Sequence, residues 1–249
     1  MDATNISPEP GTPPSPVEKA SVWEDFLDIF YAPSKVFARR ANGNFWIPLL
    51  LVTVLIAMLA YANRNIMRPM FDAEFARSTA AAMKANPSLT AAQMERGKAF
   101  AFDIAQYGSV VIVPLLVLFV GFVTWIGARF VDAKLSWNAA LVVVAYSMVP
   151  RVVQQIFVSI EGLFVDPTSL TSRFSMGIGP GRFVDASTVN PFVGALCDRL
   201  DLFLLWGLVL IAIGVATIGR LPKAKAWAFG IGLWVVTALP GLYGAIKQM

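Results

Sequence analysis

Predominantly apolar, uncharged stretches alternate with polar connectors five times along this chain. The gaps between ionisable residues run from Arg40 to Arg64, Asp103 to Arg129, Lys134 to Glu161, Asp201 to Arg220 and Lys225 to Lys247, and Arg151 alone interrupts them. Each gap holds roughly the 20 apolar residues needed to cross about 30 Å of hydrocarbon. The pattern therefore predicts spans near 45–62, 108–128, 138–160, 201–219 and 226–246. Helices of soluble domains rarely stay apolar on every side for so long. The fold class predicted is all-α, a polytopic membrane helical bundle with five transmembrane helices occupying 45–249, with extramembrane connectors 63–107 and 161–199.

Aromatic rings gather at several span ends, among them Phe45, Trp46, Tyr61, Trp137, Trp227 and Tyr243, as expected of side chains settled at headgroup level. Pro48, Pro114, Pro150 and Pro240 lie inside four of the spans, where neighbouring helices must satisfy the freed carbonyls. Gly207, Gly214, Gly232, Gly241 and Gly244 predict close helix approach in the last two spans. The short connectors carry Arg129, Lys134, Arg220, Lys223 and Lys225 against Asp132, and Lys35, Arg39 and Arg40 precede the first span. That bias places the N-terminus inside, in the cytoplasm, although the long 63–107 connector with its six basic residues weighs against it.

Outside the spans, residues 1–22 are polar and contain Pro8, Pro10, Pro13, Pro14 and Pro16. They read as a disordered cytoplasmic tail without the basic and apolar regions of a signal peptide. Residues 23–44 read as two amphipathic interfacial helices. In the first, Trp23, Phe26, Leu27 and Phe30 share one face, Glu24, Asp25 and Asp28 lie off it, and Ser21 is placed to cap. Such a helix usually rests on the membrane surface. Its acidic face has the wrong sign for anionic lipid, so the alternative is a docking surface for a protein partner, built from Trp23, Glu24, Asp25, Phe26, Asp28 and Phe30. Pro33 suits the first turn of the second helix.

Pro69 is placed to start a helix that Asn86-Pro87 ends, and Thr90 with Gln93 forms a capping-box pattern for its partner, so 63–107 reads as a helical hairpin. The 161–199 connector, with Gly177-Ile178-Gly179-Pro180-Gly181, lacks the lysine and hydroxyl residue of a phosphate loop and reads as an ordinary exposed loop.

Composition narrows the chemistry. The chain has 57% hydrophobic and 14% charged residues, no histidine, and Cys197 as its one cysteine. Imidazole-based zinc sites, Ser/His triads and intrachain disulfides are excluded. The net charge of +4 is too small and scattered to mark a nucleic-acid surface. No catalytic, cofactor-binding or metal site is predicted, and no nucleotide. Arg151 is the strong charge inside a span, which makes it a functional candidate. Ser147, Arg151, Gln154, Gln155 and Ser159 fall near one helical stripe, and Pro150 leaves the carbonyl of Tyr146 without its helical donor. The candidate polar site in the bundle is thus Tyr146, Pro150, Arg151, Gln154, Gln155, Asp198 and Asp201. Either Arg151 pairs with Asp201 or Asp198 or snorkels to the interface, or the group lines a polar cavity for a substrate, lipid headgroup or ion.

From about Tyr31 to Tyr243 the segment order resembles the Yip/Yif family of five-span membrane proteins, particularly its prokaryotic branch. Leu200-Asp201-Leu202-Phe203, continuing through Trp206, Leu210 and Gly214 to Lys223-Ala224-Lys225-Ala226, is similar to the family's Asp-x-Phe-x-x-Trp start of the fourth span and the basic turn after it. Tyr31-Ala32-Pro33-Ser34-Lys35-Val36-Phe37, Asn86-Pro87-Ser88-Leu89-Thr90 with Gln93, and Ala145-Tyr146-Ser147-Met148-Val149-Pro150 match in order. The resemblance implies a non-enzymatic multi-pass protein with a cytoplasmic N-terminus. Eukaryotic relatives are linked to small Rab GTPases, but the long first connector and short Pro-rich tail here depart from them, so no GTPase partner is carried over. What remains is a scaffold or accessory subunit of a membrane transport or trafficking assembly in the cell (inner) membrane. Its expected partners are the lipid bilayer and a membrane protein or a second copy of itself. The alternative is a small transporter or lipid-handling carrier using a polar cavity around Arg151.

Overall fold

The computed structural model describes residues 20–247 apart from Pro87, Leu89, Pro167, Thr168, Thr171, Arg173 and Ser187. The tail expected over 1–22 therefore lies outside the described residues except for its last three positions, and so does Pro87 of the expected helix break. Among the described residues all regular elements are helical: α1 Val22–Asp28, α2 Pro33–Arg40, α3 Trp46–Ala62, α4 Arg64–Ala85, α5 Ala91–Tyr107, α6 Ser109–Phe130, α7 Trp137–Tyr146, α8 Val149–Glu161, α9 Pro191–Arg199, α10 Leu202–Gly219 and α11 Lys223–Ile246.

Among the described residues four helical segments are long and apolar enough to cross a membrane: α6, α7 continued by α8, α10 and α11. α3 reaches the same apolar length only together with the first part of α4, into which it bends by 78°, and the pair counted as one span makes five. With 17 residues, α3 extends about 26 Å. Successive spans alternate in direction. At one end the Asn138 amide donates to the Gly43 carbonyl at 2.7 Å, Lys225 meets Asp132 at 3.1 Å, and Lys134 N–H faces the Gly219 carbonyl. At the other, Asn63 after α3 bonds the end of α8, and Gln154 on α8 reaches Asp201 before α10.

The middle span is broken at Ser147-Met148. Pro150 has no N–H for the Tyr146 carbonyl, so the helix stops and restarts with Pro150 in the first turn of α8. Its first half is the centre of the bundle, with every residue from Ala139 to Tyr146 buried. Gly121 of α6 and Gly214 of α10 set its clearance. A Cβ at Gly214 would stand 2.6 Å from Val143 Cγ1, and one at Gly121 2.5 Å from Leu141 Cδ2. Gly232, Gly241 and Gly244 depart from the expectation of close packing, since a Cβ there would meet nothing within 4 Å.

The α4–α5 hairpin forms as its caps predict, with the reciprocal Thr90–Gln93 bonds present. Its first helix begins at Arg64, earlier than Pro69. The chain turns directly out of α3 through Asn63, so Pro69 stands inside α4, where it withholds an N–H from the Asn65 carbonyl and its ring crowds that carbonyl.

The α1–α2 pair packs into the bundle along α10. Phe30 sets its ring 4.9 Å from that of Trp206. Trp206 adjoins Gly207, which lies against the Ser147 carbonyl near the middle of the third span. Val36 and Phe37 are fully buried in the same core. The pair is thus a wedge packed into the bundle.

Candidate functional site

Two polar clusters are built into the bundle. The first joins α1, α2 and α7. Ser21 caps α1 in a capping box with Glu24, and the wedge packing turns Asp25 inward, where its side chain is 0% exposed. A buried carboxylate survives only if its oxygens are filled. Arg39 Nε donates to Asp25 Oδ1 at 2.6 Å, Arg40 Nε to Oδ2 at 2.5 Å, and the Tyr146 hydroxyl to Oδ2 at 3.0 Å. Arg39 also binds Asp28, and Arg40 Nη2 donates to the Ala20 carbonyl at 2.7 Å. Burial opposes the charge on Arg39, but hydrogen bonds and charges of Asp28 and Asp25 outweigh it and hold the guanidinium above its ordinary pKa.

This cluster changes the predicted docking face. Asp25 and Asp28 are occupied within the chain, Phe26 is buried, and Phe30 is turned to Trp206. Glu24 is exposed but serves the cap. The outer edge is instead Trp23 (60% exposed) and Leu27 (61%), one turn apart on α1, with Tyr31 (73%) in the turn that follows it. Charge pairing with Arg39 and Arg40 turns Asp25 and Asp28, expected outside, toward α2, while Glu24 stays outside.

The second cluster surrounds Arg151. Its Nη1 donates to Gln154 Oε1 at 2.6 Å and lies 3.8 Å from Asp201 Oδ1. Gln154 Nε2 in turn donates to Asp201 Oδ2 at 3.3 Å, so the amide bridges the two charges. Asp201 is also the N-cap of α10, taking the N–H groups of Phe203 and Leu204 at 3.1 and 3.0 Å. A cavity of about 160 Å³ adjoins them, and Asp198 and Arg182 share its lining. Arg182 pairs with Glu161 at the end of α8.

The loop expected to be merely exposed forms the roof of this cavity. Leu170, Phe174 and Met176 are buried. The Ile178 carbonyl accepts the N–H of Leu202 at 2.9 Å, and Gly177 holds a φ of +142° beside Asp201 Oδ2, a conformation open to glycine. The glycine-rich run thus seats the loop on the start of α10. Beside it, Arg199 of α9 donates to Thr237 Oγ1 at 2.6 Å, and Trp234 Nε1 donates to the Arg199 carbonyl at 3.0 Å. Burial, aided by the charge of Arg151 and opposed by Asp198, moves Arg199 below its ordinary pKa.

The predicted stripe therefore divides. Arg151, Gln154, Asp198 and Asp201 come together, and Pro150 sets the break that positions them. Tyr146 does not join them, because its hydroxyl reaches Asp25. Gln155 turns the other way, where Asn63 Nδ2 donates to its carbonyl at 3.0 Å and Ser159 Oγ donates to Asn63 Oδ1 at 2.7 Å. Arg39, Arg40, Asn63, Arg182 and Arg199 were not in the predicted sites. The opposite charges of the two successive amphipathic helices were a signal for the first two, whereas nothing local marks the others. Among the described residues no group of three or more Cys, Asp or Glu is placed to hold a metal ion. The arrangement holds charges and can bind a polar group by hydrogen bonds and charge.

An all-helical bundle of membrane-length apolar helices, with a polar cluster at the start of α10, defines a multi-pass membrane protein. The family model described as the Yip1 domain matches residues 27–245, and the chain belongs to that family. No curated relative and no solved structure matches it.

Proposed function

We propose that this protein is a non-enzymatic scaffold or accessory subunit of a transport or trafficking assembly in the cell (inner) membrane, with its N-terminus cytoplasmic. The observation that carries the reading is the α1–α2 wedge. A short N-terminal helix with no tertiary bonds would sample many orientations, and ordering it on a partner would cost entropy. Here Asp25 is pinned by Arg39, Arg40 and Tyr146, so Trp23, Leu27 and Tyr31 are presented as a pre-organised outer edge. Aromatic anchors on a rigid element are what a protein partner uses best. The occupant is another membrane protein or a second copy of this chain. Membership of the Yip1-domain family supports a membrane accessory role, and the basic residues at the Lys225–Asp132 end support the orientation.

The test is purification in mild detergent of the wild type and of Trp23→Ala/Leu27→Ala. A stoichiometric protein partner, or a dimer, that is lost from the double variant while its unfolding temperature holds supports the reading. Equal recovery from both contradicts it.

A further inference from the structure

On the side of Arg151 away from Asp201 and Asp198, a second space opens between α6, the α7–α8 junction, α10 and α11. It encloses about 170 Å³. Its apolar walls include Leu116 and Phe119 of α6 and Phe203, Leu204, Leu208 and Ile211 of α10. Leu116 and Phe119 are 44% and 57% exposed, so the groove opens on the outward face of α6, the face a membrane helix gives to acyl chains. Two arginines, Arg151 and Arg199, join the lining, and among the described residues no acidic residue does. Asp201 and Asp198 line the loop-covered cavity instead.

The donors are not exhausted. Arg199 spends Nη2 on Thr237 and the Trp234 carbonyl, while its Nε is buried without an acceptor among the described residues. Arginine carries five N–H donors in a planar fork suited to phosphate. The depth also fits. Arg151 is level with Asp201, which begins α10, so the cationic end of the groove lies near a membrane surface and its apolar part runs inward.

We infer that this groove is a binding site for one anionic phospholipid, whose phosphate headgroup is held by Arg151 and Arg199 and whose acyl chain lies against α6 and α10. The charge complementarity is one-sided, because the acids that balance Arg151 approach it from the opposite cavity. A diacylglycerol, which carries the chains without a phosphate, fills the apolar walls but offers nothing to the donors that Arg151 and Arg199 have left. The site is independent of the partner edge at Trp23.

Native mass spectrometry of the full-length protein in detergent tests this, with phosphatidylglycerol and diacylglycerol of identical acyl chains as probes. The wild type is expected to retain one phosphatidylglycerol with about tenfold preference over diacylglycerol. Arg199→Gln should bring the preference close to parity. Leu116→Trp, which fills the groove without touching a charge, should lower retention of phosphatidylglycerol at an unchanged unfolding temperature. If Arg199→Gln fails to fold, Leu116→Trp decides alone. Equal retention of the two lipids by the wild type, or wild-type retention by Leu116→Trp, would overturn the proposal. Displacement of phosphatidylglycerol by inorganic phosphate as readily as by more lipid would also overturn it, by making the site one for free anions.

Discussion

The hydroxyl of Tyr146 donates to Oδ2 of Asp25 at 3.0 Å across 121 residues of sequence, and both side chains are buried. The bond ties the N-terminal wedge to the innermost helix, and through it the docking edge inherits the rigidity of the core. Tyr146→Phe keeps the ring and removes one bond to a charged acceptor, for an expected cost of about 1.5–3 kcal/mol. Asp25→Ala removes the buried acceptor of three bonds, leaving Arg39 with Asp28 and Arg40 with the Ala20 carbonyl, and should cost more, about 3–5 kcal/mol. Thermal unfolding in detergent, with the variants ordered wild type, Tyr146→Phe, Asp25→Ala, checks the assignment.

At the other cluster, Asp201 has two duties, capping α10 and balancing Arg151. Asp201→Asn should keep the cap and lose the charge, whereas Asp201→Ala loses both, with the cap adding about 1 kcal/mol to the deficit. The exchange Arg151→Asp with Asp201→Arg should recover little stability, since arginine cannot accept the N–H groups of Phe203 and Leu204. Unfolding temperatures of the three variants against the wild type measure this. Equal values for Asp201→Asn and Asp201→Ala would remove the cap from the account.

The α4–α5 hairpin should be acid-sensitive through Asp72. Burial favours the neutral acid, but Lys98 and Arg68 outweigh it and hold the carboxyl below its ordinary 3.8. A lowered folded-state pKa stabilises above the unfolded value and is lost as the pH falls through the folded one. Because the side chain is 39% exposed, the contribution is below about 1 kcal/mol. Spin labels across α4 and α5 should show a broader distance distribution on going from about pH 6 to about pH 3. In Asp72→Asn that distribution should not respond to pH.

Topology reporters are expected to read as cytoplasmic after residue 20 and within 221–226, and as exported within 75–100 and 165–195. The ends of α6 and α10 meet the starts of α7 and α11 at one side of the bundle, so the first two sites must agree with each other. An exported reading at residue 20 would invert the orientation.

What could be read from the sequence is what solvent and local geometry dictate. Lipid requires long uncharged runs, so α10 falls at Leu202–Gly219 against an expected 201–219, and α3 at Trp46–Ala62 against 45–62. Local caps such as Thr90 with Gln93 need only three residues of context. Arg151 demanded a nearby acid for the same reason that charges avoid hydrocarbon. Less could be read where the decision is tertiary. Gln154 and Gln155 are neighbours in sequence, yet they point about 100° apart on the helix and meet different partners, Asp201 and Asn63. The rotation of α1 depended on Arg39 and Arg40 returning beside it, which helical periodicity does not encode. The glycine-rich loop looked exposed because its polar composition was visible and the carbonyl acceptance by Ile178 was not.

The most direct test of the partner reading is photo-crosslinking in intact membranes from a benzophenone side chain placed at Leu27, with Lys35 as an exposed control on α2. A pre-organised docking edge predicts one discrete protein adduct at Leu27, either with a single second protein or with another copy of this chain, and none at Lys35. Adducts with lipid alone at Leu27 would contradict the account and leave the wedge as a part of the bundle that faces only the bilayer.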